Sequence, residues 1–146
     1  MKFYLAGPFF NSDQVRVLEA VENAAKRYSL EYFSPRLECY CPPGAPIEQR
    51  QKTFRMNCEG ISKSDFILAR IDDFDPGTMW ELGYAYAIRK PLIYCYTTVE
   101  GRGLILMLAQ SSDGFIQGLQ SLETFLQDMA AGRGDKEAKK WTKNIV

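Results

Sequence analysis

Short apolar segments alternate with longer segments of helical periodicity along most of this chain, and this alternation strongly constrains its fold. Apolar segments bounded by turn residues predict five strands, at residues 2–6, 30–34, 66–71, 92–96 and 114–117. Strands that alternate with helices of ten or more residues indicate βαβ units. We therefore predict an α/β fold with a five-stranded, mainly parallel sheet and helices on both of its faces.

Capping residues predict where the helices between these strands begin. The start signals are, in chain order, Asn11 or Ser12, Pro46, Thr78 and Ser121. The last of these helices should end near Gly132. We predict one domain at residues 1–132 and a polar C-terminal tail at 133–146, to which no firm structure is assigned.

The charge balance and the lack of histidine exclude several classes of function. Eighteen Lys and Arg residues balance eighteen Asp and Glu residues, so no net basic field would attract a nucleic acid. The chain has no histidine, which removes Ser-His-Asp and Cys-His nucleophiles and histidine-ligated metals. Its four cysteines lack the C-x-x-C spacing of a zinc site, and we interpret them as reduced thiols. We predict neither a metal nor a nucleic-acid partner.

Hydropathy gives no sign of a membrane or of secretion. No apolar run approaches the roughly 18 residues that a membrane helix needs. The first eight residues follow a strand pattern and not that of a signal peptide. We therefore predict a cytoplasmic protein without a membrane partner.

Two unusual loops follow the first and third predicted strands. The first is Gly-Pro-Phe-Phe at residues 7–10, and the second, at residues 72–78, contains three aspartates. In open parallel sheets, ligands bind beyond the carboxyl ends of the strands, where the strand order reverses. An aromatic pair beside carboxylates predicts a site for a small planar ligand. Alternatively, the aspartates only form turns and Phe9 and Phe10 belong to the core.

Glu81 is the strongest candidate for a reactive carboxylate. With Thr78 as the cap, Glu81 would lie in the first helical turn, where the macrodipole and free backbone N–H groups favour its ionised form. An ionised carboxylate in a crevice is a candidate nucleophile. Thr-x-x-Glu is also a capping box, in which Glu81 would only close its own helix.

Three blocks of sequence, at residues 4–14, 33–36 and 75–85, resemble the nucleoside 2-deoxyribosyltransferase family. They occur in the family's order and spacing, and the similarity covers roughly residues 2–127. The resemblance implies a single flavodoxin-like (Rossmann-like) domain. It also implies exchange of the base of a 2'-deoxynucleoside through a covalent deoxyribosyl-enzyme, with no metal or organic cofactor. Family members are homo-oligomers whose sites are completed by a neighbouring chain.

The resemblance assigns roles to individual residues. Glu81 matches the family's nucleophilic glutamate. Tyr4 matches a tyrosine whose hydroxyl positions that nucleophile, and Asp75 matches an aspartate that contacts the substrate. The substrate-binding residues are predicted to be Gly7, Phe9, Phe10, Arg36, Asn57, Asp72, Gly77 and Met107. Asn57 replaces an aspartate that protonates the leaving base in lactobacillus-type members, and asparagine is no general acid. The proton would then come from Asp75, Asp72, water or another group.

Two other functions remain open from the sequence. The first is an N-glycosidase that hydrolyses (deoxy)nucleosides or their 5'-monophosphates through the same glutamate. The first loop lacks the glycines and arginines that hold phosphate, which favours an unphosphorylated substrate. The second is an inactive nucleotide-binding module, against which the joint presence of Tyr4, Asp75 and Glu81 argues. The predicted partners are a small deoxynucleoside and a free nucleobase.

Overall fold

Five parallel strands form one sheet in the order β2-β1-β3-β4-β5 in the computed structural model, which describes residues 1–89 and 91–140. The strands are β1 (Lys2–Ala6), β2 (Glu31–Phe33), β3 (Phe66–Arg70), β4 (Leu92–Thr97) and β5 (Gly114–Gln117). The helices are α1 (Ser12–Arg27), α2 (Pro35–Glu38), α3 (Ile47–Lys63), α4 (Pro76–Ile88), α5 (Leu106–Ser111), α6 (Gly118–Ala130) and α7 (Lys136–Lys139). None of the described helices is long and apolar enough to cross a membrane.

The strand order confirms the predicted α/β sheet and the point at which its order reverses. β1 lies between β2 and β3, and in its register with β3 Tyr4 stands beside Ile67 and Ala6 beside Ala69. The chain runs outward from β1 to β2 on one side, and from β3 to β4 and β5 on the other. The loops after β1 and β3 therefore meet at the carboxyl edge of the sheet, where a ligand is expected.

The sheet separates two apolar cores. Alternate residues of β1 point to opposite faces, with Phe3 and Leu5 in one core and Tyr4 and Ala6 in the other. The first core contains buried side chains of α1 and α6, and the second contains buried side chains of α3, α4 and α5. We refer to them as the α1–α6 core and the α3–α4 core. Tyr4 is fully buried in the α3–α4 core.

Two predicted helix starts are wrong. α4 begins at Pro76 with Asp75 as its N-cap, three residues before the predicted cap at Thr78. α6 begins at Gly118, three residues before Ser121. The Ser121 hydroxyl does not cap α6 but donates a hydrogen bond to Glu137 Oε1 at 2.8 Å.

Part of the predicted structureless tail is ordered against the sheet. Ala138 of α7 is fully buried in the α1–α6 core. It lies so close to Gly114 of β5 that a Cβ added there would stand 2.6 Å from the Ala138 Cβ. The Tyr94 hydroxyl also donates to Asp135 Oδ2 at 2.6 Å. The domain boundary at 132 stays a prediction, and residues 141–146 of the predicted tail lie outside the described residues.

Candidate active site

The loop after β1 presents an aromatic pair at the sheet edge. Gly7 makes the turn possible, because a Cβ there would stand 2.9 Å from Leu18 Cδ2 of α1. The Phe9 and Phe10 rings stack with centroids 6.1 Å apart, and Phe10 is 79% exposed. Asn11 caps α1 directly afterwards, as predicted, by accepting from Gln14 N at 2.9 Å. Phe10 thus lies exposed at the sheet edge and is not a core residue.

Asp75 is held in place by its role as the cap of α4. Its Oδ2 accepts hydrogen bonds from Thr78 N at 2.8 Å and from Thr78 Oγ1 at 3.0 Å. Pro76 occupies the first helical position, where its missing N–H costs nothing. A Cβ at Gly77 would stand 3.1 Å from Asp75 Oδ2, so glycine leaves this cap unobstructed.

Glu81 lies one turn farther along α4 than predicted. With the helix starting at Pro76, it falls in the second turn, beyond the free N–H groups of the helix end. Its side chain makes no capping box. Instead, Glu81 Oε1 accepts a hydrogen bond of 2.6 Å from the Tyr4 hydroxyl, across 77 residues of sequence. The structure thus brings together the two residues that the resemblance paired.

A glycine on α3 allows Tyr4 to reach Glu81. A Cβ at Gly60 would stand 3.1 Å from Tyr4 Cδ2 and 3.0 Å from Phe33 Cδ1. The Tyr4 and Phe33 rings stack with centroids 5.5 Å apart and an angle of 10° between planes. The missing side chain therefore lets this aromatic stack lie against the helix. The sequence alone does not reveal this role of Gly60, because the contact is a tertiary one.

Burial controls the proton affinity of Glu81. Desolvation raises its pKa to about 7; the Tyr4 hydrogen bond opposes this rise, and the negative charge of Asp75 adds to it. The pKa of Tyr4 is raised far above its ordinary value, first by burial and then by Glu81, so its hydroxyl stays a donor. Burial thus opposes the ionised form of Glu81, which the helix end was expected to favour.

A pocket of about 170 Å³ opens where these elements meet. It contains seven of the predicted site residues: Gly7, Phe9, Phe10, Asn57, Asp75, Gly77 and Glu81. Sequence reasoning missed further lining residues, which are Pro35, Cys39, Cys41 and Thr53. Two of them, Cys39 and Cys41, belong to a stretch at residues 36–45 that has no helix or strand periodicity. The length of this stretch is typical of a functional loop and is the signal that could have identified them.

Three predicted substrate-binding residues lie outside this pocket. Arg36 Nε donates to Glu22 Oε1 at 2.9 Å, which holds the guanidinium against α1. Asp72 joins two loops by accepting from Arg70 Nε at 3.0 Å and from Thr98 Oγ1 at 2.9 Å. Met107 is 74% exposed on α5, where it lines an apolar groove of about 430 Å³.

The hydrogen bonds to Asp72 keep its carboxylate charged. Burial acts to raise its pKa, but donors from Thr97, Thr98 and Arg70 outweigh that effect and lower it. Within residues 1–89 and 91–140, no group of three or more cysteines and carboxylates is placed to hold a metal ion.

The comparison with protein families decides which family this fold and pocket represent. The model of the family described as nucleoside 2-deoxyribosyltransferase matches residues 3–132. The chain belongs to this family. The matched range contains Tyr4, Asp75 and Glu81, and it ends before α7. Membership in the nucleoside 2-deoxyribosyltransferase family associates the chain with nucleosides, nucleobases and the N-glycosidic bond that joins base to sugar.

Solved structures support the same fold. The 2-deoxyribosyltransferase of Bacillus psychrosaccharolyticus is 28% identical, with a TM-score of 0.76 over 86% of this chain and 92% of that chain. The CMP N-glycosidase BcmB of Clostridium botulinum has a TM-score of 0.59 at 16% identity, over 88% of this chain and 98% of that chain. At that identity the likeness concerns the fold only.

A curated relative is similar over a shorter range. An uncharacterized protein of Ureaplasma parvum serovar 3 is 28% identical over 99 residues. The match covers 62% of this chain and 62% of the relative's own length. The activity, the substrates and the partners of the whole protein are therefore proposals.

Proposed function

We propose that this protein exchanges the nucleobase of a 2'-deoxynucleoside through a covalent 2-deoxyribosyl-Glu81 intermediate. One observation carries the proposal: the Tyr4 hydroxyl donates at 2.6 Å to Glu81 Oε1 in a pocket walled by Phe9 and Phe10. A binding site alone would not require a buried carboxylate with a positioned donor. The aromatic wall suits the flat face of a base, and the carboxylate suits a carbon that develops positive charge.

The reaction consists of two displacements at C1'. As the C1'–N bond breaks, its electron pair leaves with the base and C1' gains oxocarbenium character. The ionised Glu81 stabilises this charge and bonds to C1', while Tyr4 holds the carboxylate in position. A second base, having lost its N–H proton to water, attacks C1' and releases Glu81. Two inversions give net retention of configuration.

The charges around the pocket support an unphosphorylated substrate. None of the pocket-lining residues that the structure describes is a lysine or an arginine. Three arginines near the sheet edge already have partners: Arg36 pairs with Glu22, Arg70 pairs with Asp72 and Asp73, and Arg102 lies over the Phe74 ring. A 5'-phosphate would therefore find no guanidinium among the described residues that line this pocket.

We also propose that the protein forms a homo-oligomer. The α4–α5 groove is apolar and contains Met79, Tyr86, Ile105 and Met107, all of them at least partly exposed. Burying such a surface between two copies would be favourable. Met107 could then contact substrate only in a neighbouring copy, because it lies outside its own chain's pocket. The cytoplasmic location stays a prediction.

Chromatography of the products tests the proposed exchange. Purified protein is incubated with thymidine, with and without adenine, and in parallel with thymidine 5'-monophosphate. We expect deoxyadenosine to form only when adenine is present, and thymidine to be preferred over its monophosphate. Equal release of thymine with and without adenine would show hydrolysis instead. Binding of several nucleosides without turnover would favour the inactive module.

The rate of exchange should rise with pH through about 7. The folded-state pKa of Glu81 lies near 7, so the nucleophile is protonated below this pH and ionised above it. We expect kcat/KM for thymidine to increase roughly tenfold from pH 6 to pH 8 and then to level off, because kcat/KM reports the pKa of the ligand-free protein. Steady-state rates across this range check the expectation, with circular dichroism as the control for folding. A rate that falls from pH 6 to pH 8 would contradict it.

A further inference from the structure

Asn57 and Cys39 form a contact within the pocket that the exchange reaction as described does not use. Asn57 lies on α3, and Cys39 directly follows α2. The Cys39 thiol donates to Asn57 Oδ1, with Sγ and Oδ1 2.9 Å apart. Burial, and to a lesser degree the charges of Glu38 and Glu81, raise the pKa of Cys39 to about 11. The thiol therefore keeps its proton at neutral pH and remains the donor.

This contact fixes which end of the Asn57 amide faces a ligand. Because Oδ1 accepts from Cys39, the Nδ2 amino group is the end left for the pocket. Among the described residues, Nδ2 has no hydrogen-bond partner. Asn57 lines the pocket together with Glu81 and Asp75, so its two N–H donors are available to a ligand that is held there.

The carboxylates of the pocket already have other roles. Glu81 accepts from Tyr4 and is the proposed nucleophile, so it cannot also protonate the base. Asp75 uses Oδ2 to cap α4 through the backbone and side chain of Thr78. An amide N–H donates a hydrogen bond but does not release its proton near neutral pH. Asn57 is thus a donor that can accompany a departing base without protonating it.

Building on the proposed exchange, we infer that Asn57, oriented by Cys39, selects bases that leave as anions, because its amino group hydrogen-bonds the leaving base without transferring a proton. The C1'–N bond breaks, its electron pair stays on the base nitrogen, and Glu81 bonds to C1'. The free base anion then takes a proton from water. Cys39 is a positioning residue, since it acts only through Asn57.

The inference predicts that the rate of base release depends strongly on how stable the leaving base is as an anion. Uracil spreads negative charge over two carbonyl groups, whereas cytosine has one carbonyl and an amino group and forms a much poorer anion. A fluorine at position 5 stabilises the uracil anion further. Release of base should therefore be fastest from 5-fluoro-2'-deoxyuridine, slower from 2'-deoxyuridine, and at least about 100-fold slower again from 2'-deoxycytidine.

The test measures the first half-reaction, the release of free base in a single turnover at pH 7.5, for these three nucleosides. Asn57→Asp places a carboxyl group beside Glu81 and Asp75, whose negative charges favour its protonated form, which can give the base a proton. We expect this variant to narrow the ratio of the deoxyuridine to the deoxycytidine release rates at least about tenfold. Cys39→Ala should lower release from deoxyuridine about tenfold with little change in KM, because Asn57 loses its orientation. Cys58→Ser is the matched control, since Cys58 follows Asn57 on α3 but does not line the pocket, and the thiol that donates to Asn57 Oδ1 is that of Cys39.

The outcomes separate this inference from the proposed function. Equal rates for the three nucleosides in the wild-type protein, or an unchanged ratio in folded Asn57→Asp, would overturn the inference and leave base exchange intact. If Asn57→Asp fails to fold, the release rates of the three nucleosides in the wild-type protein still test the inference. If no nucleoside releases base at all, the proposed function fails first, and the inference falls with it.

Discussion

Glu81→Gln should lower base exchange on the order of 10⁴-fold or more, because it removes the carboxylate that we propose bonds to C1'. The glutamine side chain has the same shape, and its amide oxygen can still accept from Tyr4. Product formation from thymidine and adenine, followed by chromatography, measures the loss. Exchange within about tenfold of the wild-type rate in a folded variant would rule out the covalent intermediate.

The same substitution should increase stability at alkaline pH. The folded-state pKa of Glu81 is raised to about 7 by burial, so its contribution to stability is fully present below pH 4.5 and is lost as the pH rises through 7. At pH 8.5 the ionised carboxylate therefore costs about 3 kcal/mol, which a neutral glutamine avoids. Thermal unfolding at pH 5 and pH 8.5 checks this expectation.

Glu59→Gln is the control for both measurements. Glu59 is an exposed glutamate on α3 whose partner is Lys63, 3.2 Å away. A surface ion pair of this kind contributes little to folding stability. The Glu59→Gln variant should therefore exchange bases near the wild-type rate, and its free energy of unfolding should stay within about 0.5 kcal/mol of the wild-type value. A Glu81→Gln variant that loses stability at both pH values would show that the side chain is structural.

Tyr4→Phe should lower kcat by roughly 10- to 100-fold, the effect of losing a hydrogen bond to a charged group. It should also move the rising limb of the pH profile to higher pH, because the Tyr4 hydroxyl lowers the pKa of Glu81. The phenylalanine ring can keep its stack on Phe33, so the packing of β1 against α3 is preserved. Steady-state rates from pH 6 to pH 9 measure both effects.

Tyr94→Phe provides a matched control for this variant. Its hydroxyl also donates to a carboxylate at 2.6 Å, but the partner is Asp135, and its ring packs in the α1–α6 core. Loss of that hydrogen bond should change stability and leave the midpoint of the pH profile in place. The positioning role of Tyr4 would be refuted if both variants shifted the midpoint equally, or if neither did.

The sequence was sufficient to predict the features that depend on local patterns. Apolar runs predicted the five strands, and their alternation with helices predicted a parallel sheet. The strand order that joins the loops after β1 and β3 is that of the flavodoxin-like fold, which the resemblance implied. Asp75 could also have been identified as the cap, because a proline at the first helical position marks the residue before it. Thr78 was chosen instead because the Thr-x-x-Glu pattern is equally typical of a helix start.

Features that depend on distant contacts could not be predicted. The pKa of Glu81 depends on burial and on Tyr4, whereas sequence reasoning considered only the helix end. Arg36 of α2 was expected near the ligand, but its guanidinium donates to Glu22 of α1 instead. The Cys39–Asn57 contact joins two residues 18 positions apart, and no sequence pattern predicts a contact between them. Each of these depends on which side chains the fold brings close together.

The separation of the two cores shows where stability can be changed far from the proposed catalytic residues: Phe9 of the pocket packs against the α1–α6 core, but α6 itself contributes no residue to the described lining. Tyr4 belongs to the α3–α4 core, which also includes Leu82 next to Glu81, so repacking that side would disturb the proposed nucleophile. The buried face of α6, with Phe125 and Leu126, lies across the sheet and contributes nothing to the described pocket lining. Substitutions that fill space around α6 should therefore improve heat tolerance while preserving the reaction geometry.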